Sequence, residues 1–322
     1  MKQERILIVG LNWIGDAIMS MPALQACRIE NPDAHITLLV KAYLKPLWEM
    51  HAAPDEIICL EDSRSTIRKL RAGNYDKACI LPNSFRSAFL PAMAGVSRRI
   101  GLRGDWRRYM LTTAAPLSEG HQSNEYFPIL APASVGQHHA LPQLNIPAAP
   151  VESMARKRPF SGRYITLMPG AARGASKMWP LDHFEQLATQ WLAERDDFIV
   201  LAGGPGDAPA CEALAGKLGS RACSLAGKTS LKEWAALLSK SSVAIANDSG
   251  GMHLAAAVGA PVVGIYGITD PAKTGPLSKC FKVLQNSSRR SRDIARDSGA
   301  ARKALESISP DDVFAAALEL LQ

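Results

Sequence analysis

Residues 241–271 read SSVAIANDSGGMHLAAAVGAPVVGIYGITDP, and this stretch decides the fold. Residues 243–246 are a short apolar run, enough for a buried strand. Asp248 and Ser249 follow, with side-chain oxygens of the helix N-cap type. Residues 252–258 make a compact, alanine-rich helix. Gly259 can take the left-handed conformation that ends it, and Pro261 blocks its continuation. Residues 261–266 supply a second buried strand. A strand, a tight turn of small residues, a helix and a strand form the repeating unit of an open parallel sheet. In such sheets ligands sit at the turn after the first strand. Gly250 and Gly251 leave room for a ligand at the backbone, and the N–H groups and dipole of the helix start favour an anion. Asp248 and His253 add polar groups that could orient it. The spacing alone serves an ordinary capped helix equally well.

The same alternation runs outward through the chain. Strand patterns fall at 6–9, 35–40, 57–60 and 77–81. Between them Asp16 opens a helix, 44–50 is a short one, and 63–71 is a basic one. A polar loop, PNSFRS, and the helix AFLPAMAG follow the fourth strand. From 116 to 162 prolines recur at 116, 128, 132, 142, 147, 150 and 159 and periodicity fades. This stretch reads as a connector, closing a first domain over 1–155. The alternation restarts with a strand at 164–168, the loop PGAARGASKMWP and an amphipathic helix at 181–194. A strand at 198–202, the turn GGPGD, a helix at 208–218, a short strand near Cys223, a helix at 231–239 and a last helix at 310–321 complete a second domain over 163–322. The expected fold class is α/β: two facing Rossmann-like domains whose cleft is the natural site.

Composition narrows the partners. The chain has 322 residues, 47% of them hydrophobic, enough for two cores. Its net charge of +7 favours anionic partners. The excess concentrates between Arg64 and Arg108, where eleven Lys and Arg face only Asp76 and Asp105. No recognition-helix, zinc-finger or aromatic RNA-binding pattern accompanies it, so nucleic acid is not the expected partner. Six cysteines without a C-x-x-C pair read as reduced core residues. The start, MKQERILIVG, enters a strand directly, so no signal peptide is expected, and no apolar run reaches membrane-spanning length. The expected placement is cytoplasmic. GLNWIGD is neither a dinucleotide fingerprint nor a Walker loop. No Asp-x-Asp pair suggests a metal-bound diphosphate, and no G-x-S-x-G elbow suggests a hydrolase. His138-His139, in the connector, reads as surface.

Three stretches, in this order, carry a resemblance: NWIGDAIMSMPAL, PGAARGASKMWP and LAGKTSLKEWAALLSKSSVAIANDSGGMHLAAAVGAPVVGIYGITDP. Together they resemble glycosyltransferase family 9, the bacterial lipopolysaccharide heptosyltransferases. The Asn-Trp-x-Gly-Asp start and the Pro-Gly-Ala…Lys-x-Trp-Pro loop are most similar to its heptosyltransferase II branch, which adds the second inner-core heptose from ADP-heptose. The resemblance implies a GT-B fold with an acceptor-binding first domain and a nucleotide-sugar-binding second one. It also implies inverting transfer with no metal and no cofactor besides the donor substrate.

The resemblance assigns roles by position. Asp16 matches the family's base, and a carboxylate suits that task. A structural alternative, a helix N-cap, is compatible with it. Lys177 matches a phosphate-binding lysine that offsets charge on the leaving diphosphate. Gly15, Gly170 and Ala171 fall among the donor contacts. Asp207 aligns with a ribose-binding carboxylate, often Glu in the family. Asp248, Ser249, Gly250 and His253 match the donor-site motif. For an anionic saccharide acceptor the candidates are Arg64, Arg68 and Lys69, which can share a helix face, and Arg86, in a loop after a strand. A basic face also suits peripheral contact with anionic lipid. One segment departs: CFKVLQNSSRRSRDIARDSGAARKALE, at 280–306, has one cysteine where many of the branch carry several and a histidine. The alternatives are heptosyltransferase I, another family 9 transferase, or a non-catalytic nucleotide-sugar-binding protein.

Overall fold

The computed structural model describes residues 3–104, 106–137, 140–172, 174–286 and 299–322. His138-His139 and most of the departing segment, 287–298, lie outside the described residues. The chain divides into two compact units, Met1–Asn145 and Ile146–Gln322.

Unit one is built on a parallel sheet of β1 (Arg5–Val9), β2 (His35–Val40), β3 (Glu56–Cys59), β4 (Lys77–Ile80), β5 (Arg98–Leu102) and β6 (Thr113–Ala115). Unit two is built on β7 (Tyr164–Met168), β8 (Phe198–Leu201), β9 (Ala222–Ser224), β10 (Ala244–Asn247), β11 (Val262–Tyr266) and β12 (Phe281–Gln285), also parallel. The spatial orders are β3-β2-β1-β4-β5-β6 and β12-β11-β10-β7-β8-β9. Counted from its own first strand, each unit therefore has the 3-2-1-4-5-6 order of dinucleotide-binding folds. Each also has one point where the chain reverses its direction of winding: between β1 and β4, and between β7 and β10. The central strands are largely apolar and buried because helices cover both faces. Ile6, Leu7 and Ile8 are 0% exposed, as are Ala244, Ile245 and Ala246. The predicted α/β class of two Rossmann-like units is what forms.

The expected boundary at 155 moves to 145. A helix, Ala148–Lys157, forms inside the proline-rich stretch, with Pro150 in its first turn, where a missing N–H costs no helical bond. It belongs to unit two. Ser153 Oγ donates to Glu233 Oε1 at 2.6 Å, and Lys157 Nζ pairs with the same oxygen at 2.8 Å. Residues before it belong to unit one: Gln25 Nε2 donates to Leu141 O at 3.1 Å, and Asn145 N–H to Met50 O at 2.7 Å.

Three strands also went unpredicted. β5 opens with two arginines, β6 has three residues, and β12 is a partly exposed edge. The helix Leu181–Glu194 forms as predicted, burying Phe184, Leu187, Ala188 and Trp191. Gly259 takes φ 82° and ends the helix Gly250–Ala257. All six cysteines are free, but only Cys27, Cys79 and Cys211 are buried.

Candidate functional site

In unit two, β7 and β10 end side by side at the reversal point, so the loops that follow them emerge together. Asn247, the last residue of β10 and 0% exposed, ties them. Its Nδ2 donates to Pro169 O at 2.7 Å and its Oδ1 accepts the Trp179 N–H at 2.9 Å. One side chain thus clamps both ends of the loop that carries Gly170, Ala171 and Lys177. Trp179 plugs the loop into the core. It is 1% exposed, packs edge-on against Phe184, and donates its indole N–H to Ile308 O at 3.0 Å. Sequence reading missed Asn247, whose role depends on neighbours far away along the chain.

Lys177 is held by this scaffold with its ammonium against the Asp248 carboxylate. Their side chains are 18% and 7% exposed, so this is a largely desolvated ion pair. Asp248 also donates its N–H to Ile265 O at 3.0 Å. The Tyr266 phenol lies nearby. Burial, and then the Asp248 charge, push its pKa well up, so it stays protonated and donates to Thr274 O at 2.8 Å.

The helix Gly250–Ala257 starts immediately afterwards, two residues earlier than predicted. Ser249 occupies its N-cap but makes no side-chain bond to the first turn, contrary to the capping expectation. The first-turn N–H groups therefore have no side-chain cap at Ser249, an arrangement that suits an anion. Gly251 serves packing, not ligand approach. A Cβ there would lie 2.7 Å from Met168 Sδ and 2.8 Å from the Trp234 ring. His253 is 4% exposed, one turn into the helix.

Asp207 joins the same edge from the loop after β8. Its Oδ2 accepts the Gly204 N–H at 2.8 Å. A Cβ on Gly170 would sit 2.1 Å from Asp207 Oδ1, and one on Gly203 2.5 Å from Oδ2. Only glycine at both positions lets this carboxylate bridge the loops after β7 and β8. The end of a unit's second strand is where Rossmann folds place the acid that reads a ribose. The structure thus gathers Gly170, Ala171, Lys177, Asp207, Asp248, Ser249 and Gly250 on one edge of unit two.

In unit one, Asp16 occupies the first turn of the helix Ile14–Glu30, whose N-cap is Trp13. The helix begins before Asp16, so the N-cap alternative is displaced. Gln122 Nε2 lies 3.4 Å from Asp16 Oδ1 and 2.9 Å from the Tyr126 hydroxyl. Tyr43 donates to Asn12 O. Burial, and then the Asp16 charge, raise its pKa. Gly15 lies beside Asp16 in unit one, whereas the other donor candidates belong to unit two.

The ends of β1 and β2 and the loop after β4 enclose a pocket of about 240 Å³. Gly10, Asn12, Lys41, Ser84 and Arg86 are among its walls, and none of its lining residues is acidic. Lys41 went unnoticed in the sequence, though a cation directly after a buried strand was the available signal. Arg86 lies in the first turn of the helix Phe85–Met93, not in a loop, because Ser84 caps that helix by accepting the Ser87 N–H at 3.3 Å. Arg64, Arg68 and Lys69 do not line this pocket. They are exposed on the helix Ser63–Ala72, and Lys69 pairs with Glu61 at 2.6 Å. Arg107 is structural: 2% exposed, it donates to Pro82 O at 2.6 Å and Asn83 Oδ1 at 3.1 Å, bracing the loop after β4. Among the described residues no three His, Cys, Asp or Glu gather as metal ligands, and no helix is long and apolar enough to cross a membrane.

The family model for glycosyltransferase family 9 (heptosyltransferase) matches residues 63–301. Lipopolysaccharide heptosyltransferase 2 of Salmonella typhimurium is 30% identical over 315 residues, covering 87% of this chain and 88% of that protein. Lipopolysaccharide heptosyltransferase 3 of Escherichia coli is 26% identical, covering 97% and 96%. The solved structure of E. coli ADP-heptose lps heptosyltransferase II superposes with a TM-score of 0.87 at 28% identity, over 98% of each chain.

Proposed function

The chain belongs to glycosyltransferase family 9, and from that membership we propose that it moves heptose from ADP-heptose to the lipopolysaccharide inner core, as a heptosyltransferase II does. The proposed reaction inverts the anomeric centre and uses no metal. One observation carries the donor half: the largely desolvated Lys177–Asp248 pair beside an uncapped helix start, at the reversal point of unit two. Such a place suits a diphosphate, whose oxygens need positive charge and N–H donors.

In this reading an acceptor hydroxyl attacks the anomeric carbon as the carbon–oxygen bond to the diphosphate breaks. ADP leaves with the bonding electrons, and Asp16 takes the hydroxyl proton. A single displacement inverts the centre. Lys177 and the first-turn N–H groups of the helix Gly250–Ala257 receive the charge on ADP. Asp207 accepts from the ribose hydroxyls, and Gly170 and Ala171 offer backbone to the phosphates. Ser249 and His253 complete the donor side. In unit one the acidic-free pocket with Lys41 and Arg86 takes an anionic group of the acceptor. The enzyme works at the cytoplasmic face, in peripheral contact with anionic lipid.

Another family 9 transferase is the second reading, favoured by the similarity to a heptosyltransferase 3 and by the departing segment at 280–306. The deciding experiment is transfer from ADP-heptose to a defined core acceptor with chelator present, using wild type and Asp16→Asn. Wild type is expected to turn over and the variant to bind ADP without transfer. Failure with every heptose donor, and success with another nucleotide sugar, would overturn the substrate. Tight ADP binding with no turnover by any donor would make the chain a binding protein.

A further inference from the structure

Two helices of unit one run side by side. Arg86 Nη2, at the start of Phe85–Met93, donates to Glu61 O, just ahead of Ser63–Ala72, at 3.2 Å. Arg71 Nη2, near the end of Ser63–Ala72, donates to Met93 O at 2.9 Å. Start meets start and end meets end, so the helices are parallel neighbours and their outer faces form one surface.

That surface has two rows. On one helix Phe85, Phe89 and Met93 recur every fourth residue and line a single stripe. Phe85 is 48% and Met93 46% exposed, and the rings of Phe85 and Phe89 stack at 5.8 Å. On the other helix Arg64, Arg68 and Arg71 are all exposed and share a face. Residues 63–72 contain no acid, and among the described residues no carboxylate forms an ion pair with any of these three arginines. Phe89 is half-buried between the exposed Phe85 and Met93, and an apolar stripe that reaches the surface in this way suits a contact with an apolar partner. Beside an unneutralised row of arginines it fits a partner that is apolar within and anionic at its surface.

We propose that this two-helix face docks onto an anionic lipid bilayer. Phe85, Phe89 and Met93 enter the headgroup boundary, and Arg64, Arg68 and Arg71 meet lipid phosphates. Ser84, Arg86 and Ser87, at the start of the apolar helix, also line the pocket of unit one. Docking therefore brings the pocket to the bilayer, where a lipid-linked saccharide is presented. The docking rests on the peripheral lipid contact of the proposed function and names the surface that makes it; that last consequence rests further on the acceptor reading of the pocket.

The test is co-sedimentation of the full chain with phosphatidylcholine vesicles, with and without phosphatidylglycerol. Binding is expected only with phosphatidylglycerol and should fall as salt rises. Arg64→Gln and Arg68→Gln should each weaken it about five-fold, and about 25-fold together. Phe85→Ser with Met93→Ser should weaken it at every salt concentration. All four variants should keep the wild-type melting temperature and ADP affinity, because the altered side chains are exposed and the donor loops belong to unit two. ADP affinity is measured separately, so loss of the donor reading would leave vesicle binding intact, and the reverse. Wild-type vesicle binding by the variants would overturn the proposal. So would a homodimer that the serine variants dissociate without change in vesicle binding. An effect of the arginine variants on a lipid-free phosphorylated saccharide, but not on vesicles, would also overturn it.

Discussion

The ammonium of Lys177 rests against the carboxylate of Asp248, and the two reach each other from loops on opposite sides of the reversal point in unit two. An arriving diphosphate therefore meets a lysine that already has a partner. Asp248 fixes where the ammonium waits, and the ligand shares it. The two residues should act as one unit. Lys177→Ala should lower kcat/KM by about 10²–10³, the usual loss for one preorganised charge-stabilising donor. Asp248→Asn should cause a large loss alone and little further loss when Lys177 is already alanine. Transfer rates and ADP affinities of the four proteins in this cycle measure the coupling, and fully additive losses would show that the residues act separately.

Asn247 should matter through the loop it closes. Asn247→Ala leaves the Pro169 carbonyl and the Trp179 N–H buried without their partner. Two such orphaned groups cost about 2–4 kcal/mol together. For a unit of this size that lowers the melting temperature by roughly 5–15 °C. ADP affinity should fall with it, because Lys177 lies between the two clamped points. Asn247→Asp should not restore stability: a carboxylate can accept from Trp179 but cannot donate to Pro169. Calorimetric melting of both variants checks this.

Gln122 should position Asp16. Its amide nitrogen stands between the Asp16 carboxylate and the Tyr126 hydroxyl, and Tyr126 is 2% exposed and so fixed. Gln122→Leu should lower kcat about ten-fold while ADP affinity stays unchanged, since Gln122 belongs to unit one. Gln122→Glu, which sets a second carboxylate against Asp16, should lose more. A Gln122→Leu variant with weakened ADP binding and normal kcat would place the residue elsewhere in the reaction.

These cases show what could be read in advance. The strand–helix–strand unit at 241–271 was legible because periodicity and a left-handed glycine are local signals, and Gly259 takes its expected φ. The Asn247 clamp was not, since its partners lie 68 and 78 residues away and only the sheet order makes them neighbours. The donor residues came from motif resemblance, but motif order says nothing of the contact between Asp207 and Gly170. Charge counting could not separate Arg107, buried as a brace for a loop, from Arg64, exposed on a helix. Both are one arginine in a basic segment until the fold decides which is desolvated. The helix Ala148–Lys157 was hidden because proline reads as a breaker unless its place in the first turn is known.

His51 should make unit one sensitive to mild acid. The ring is 6% exposed and packs edge-on against Trp48. Its Nδ1 accepts the Ala53 N–H at 3.2 Å, so the proton of the neutral ring sits on Nε2, which faces Gln25 Oε1 at 3.2 Å. Gln25 in turn holds Leu141 and Gln143, which ties this ring to the last stretch of the unit. Burial pushes the His51 pKa from 6.5 down to about 4. An unfolded chain therefore binds a proton near pH 6.5 while the folded one does not until about pH 4. Between these values the unfolded state holds more protons, so stability rises with pH. The contribution is fully present above about pH 6.5 and is lost as pH falls toward 4, by roughly 3 kcal/mol in all. His51→Gln removes the titration, so its loss of stability between about pH 7.5 and about pH 5 should be smaller than that of wild type by about 2 kcal/mol. Urea unfolding of both proteins at the two pH values measures the difference, and equal losses would mean that the ring is protonated in the folded chain as readily as in the unfolded one.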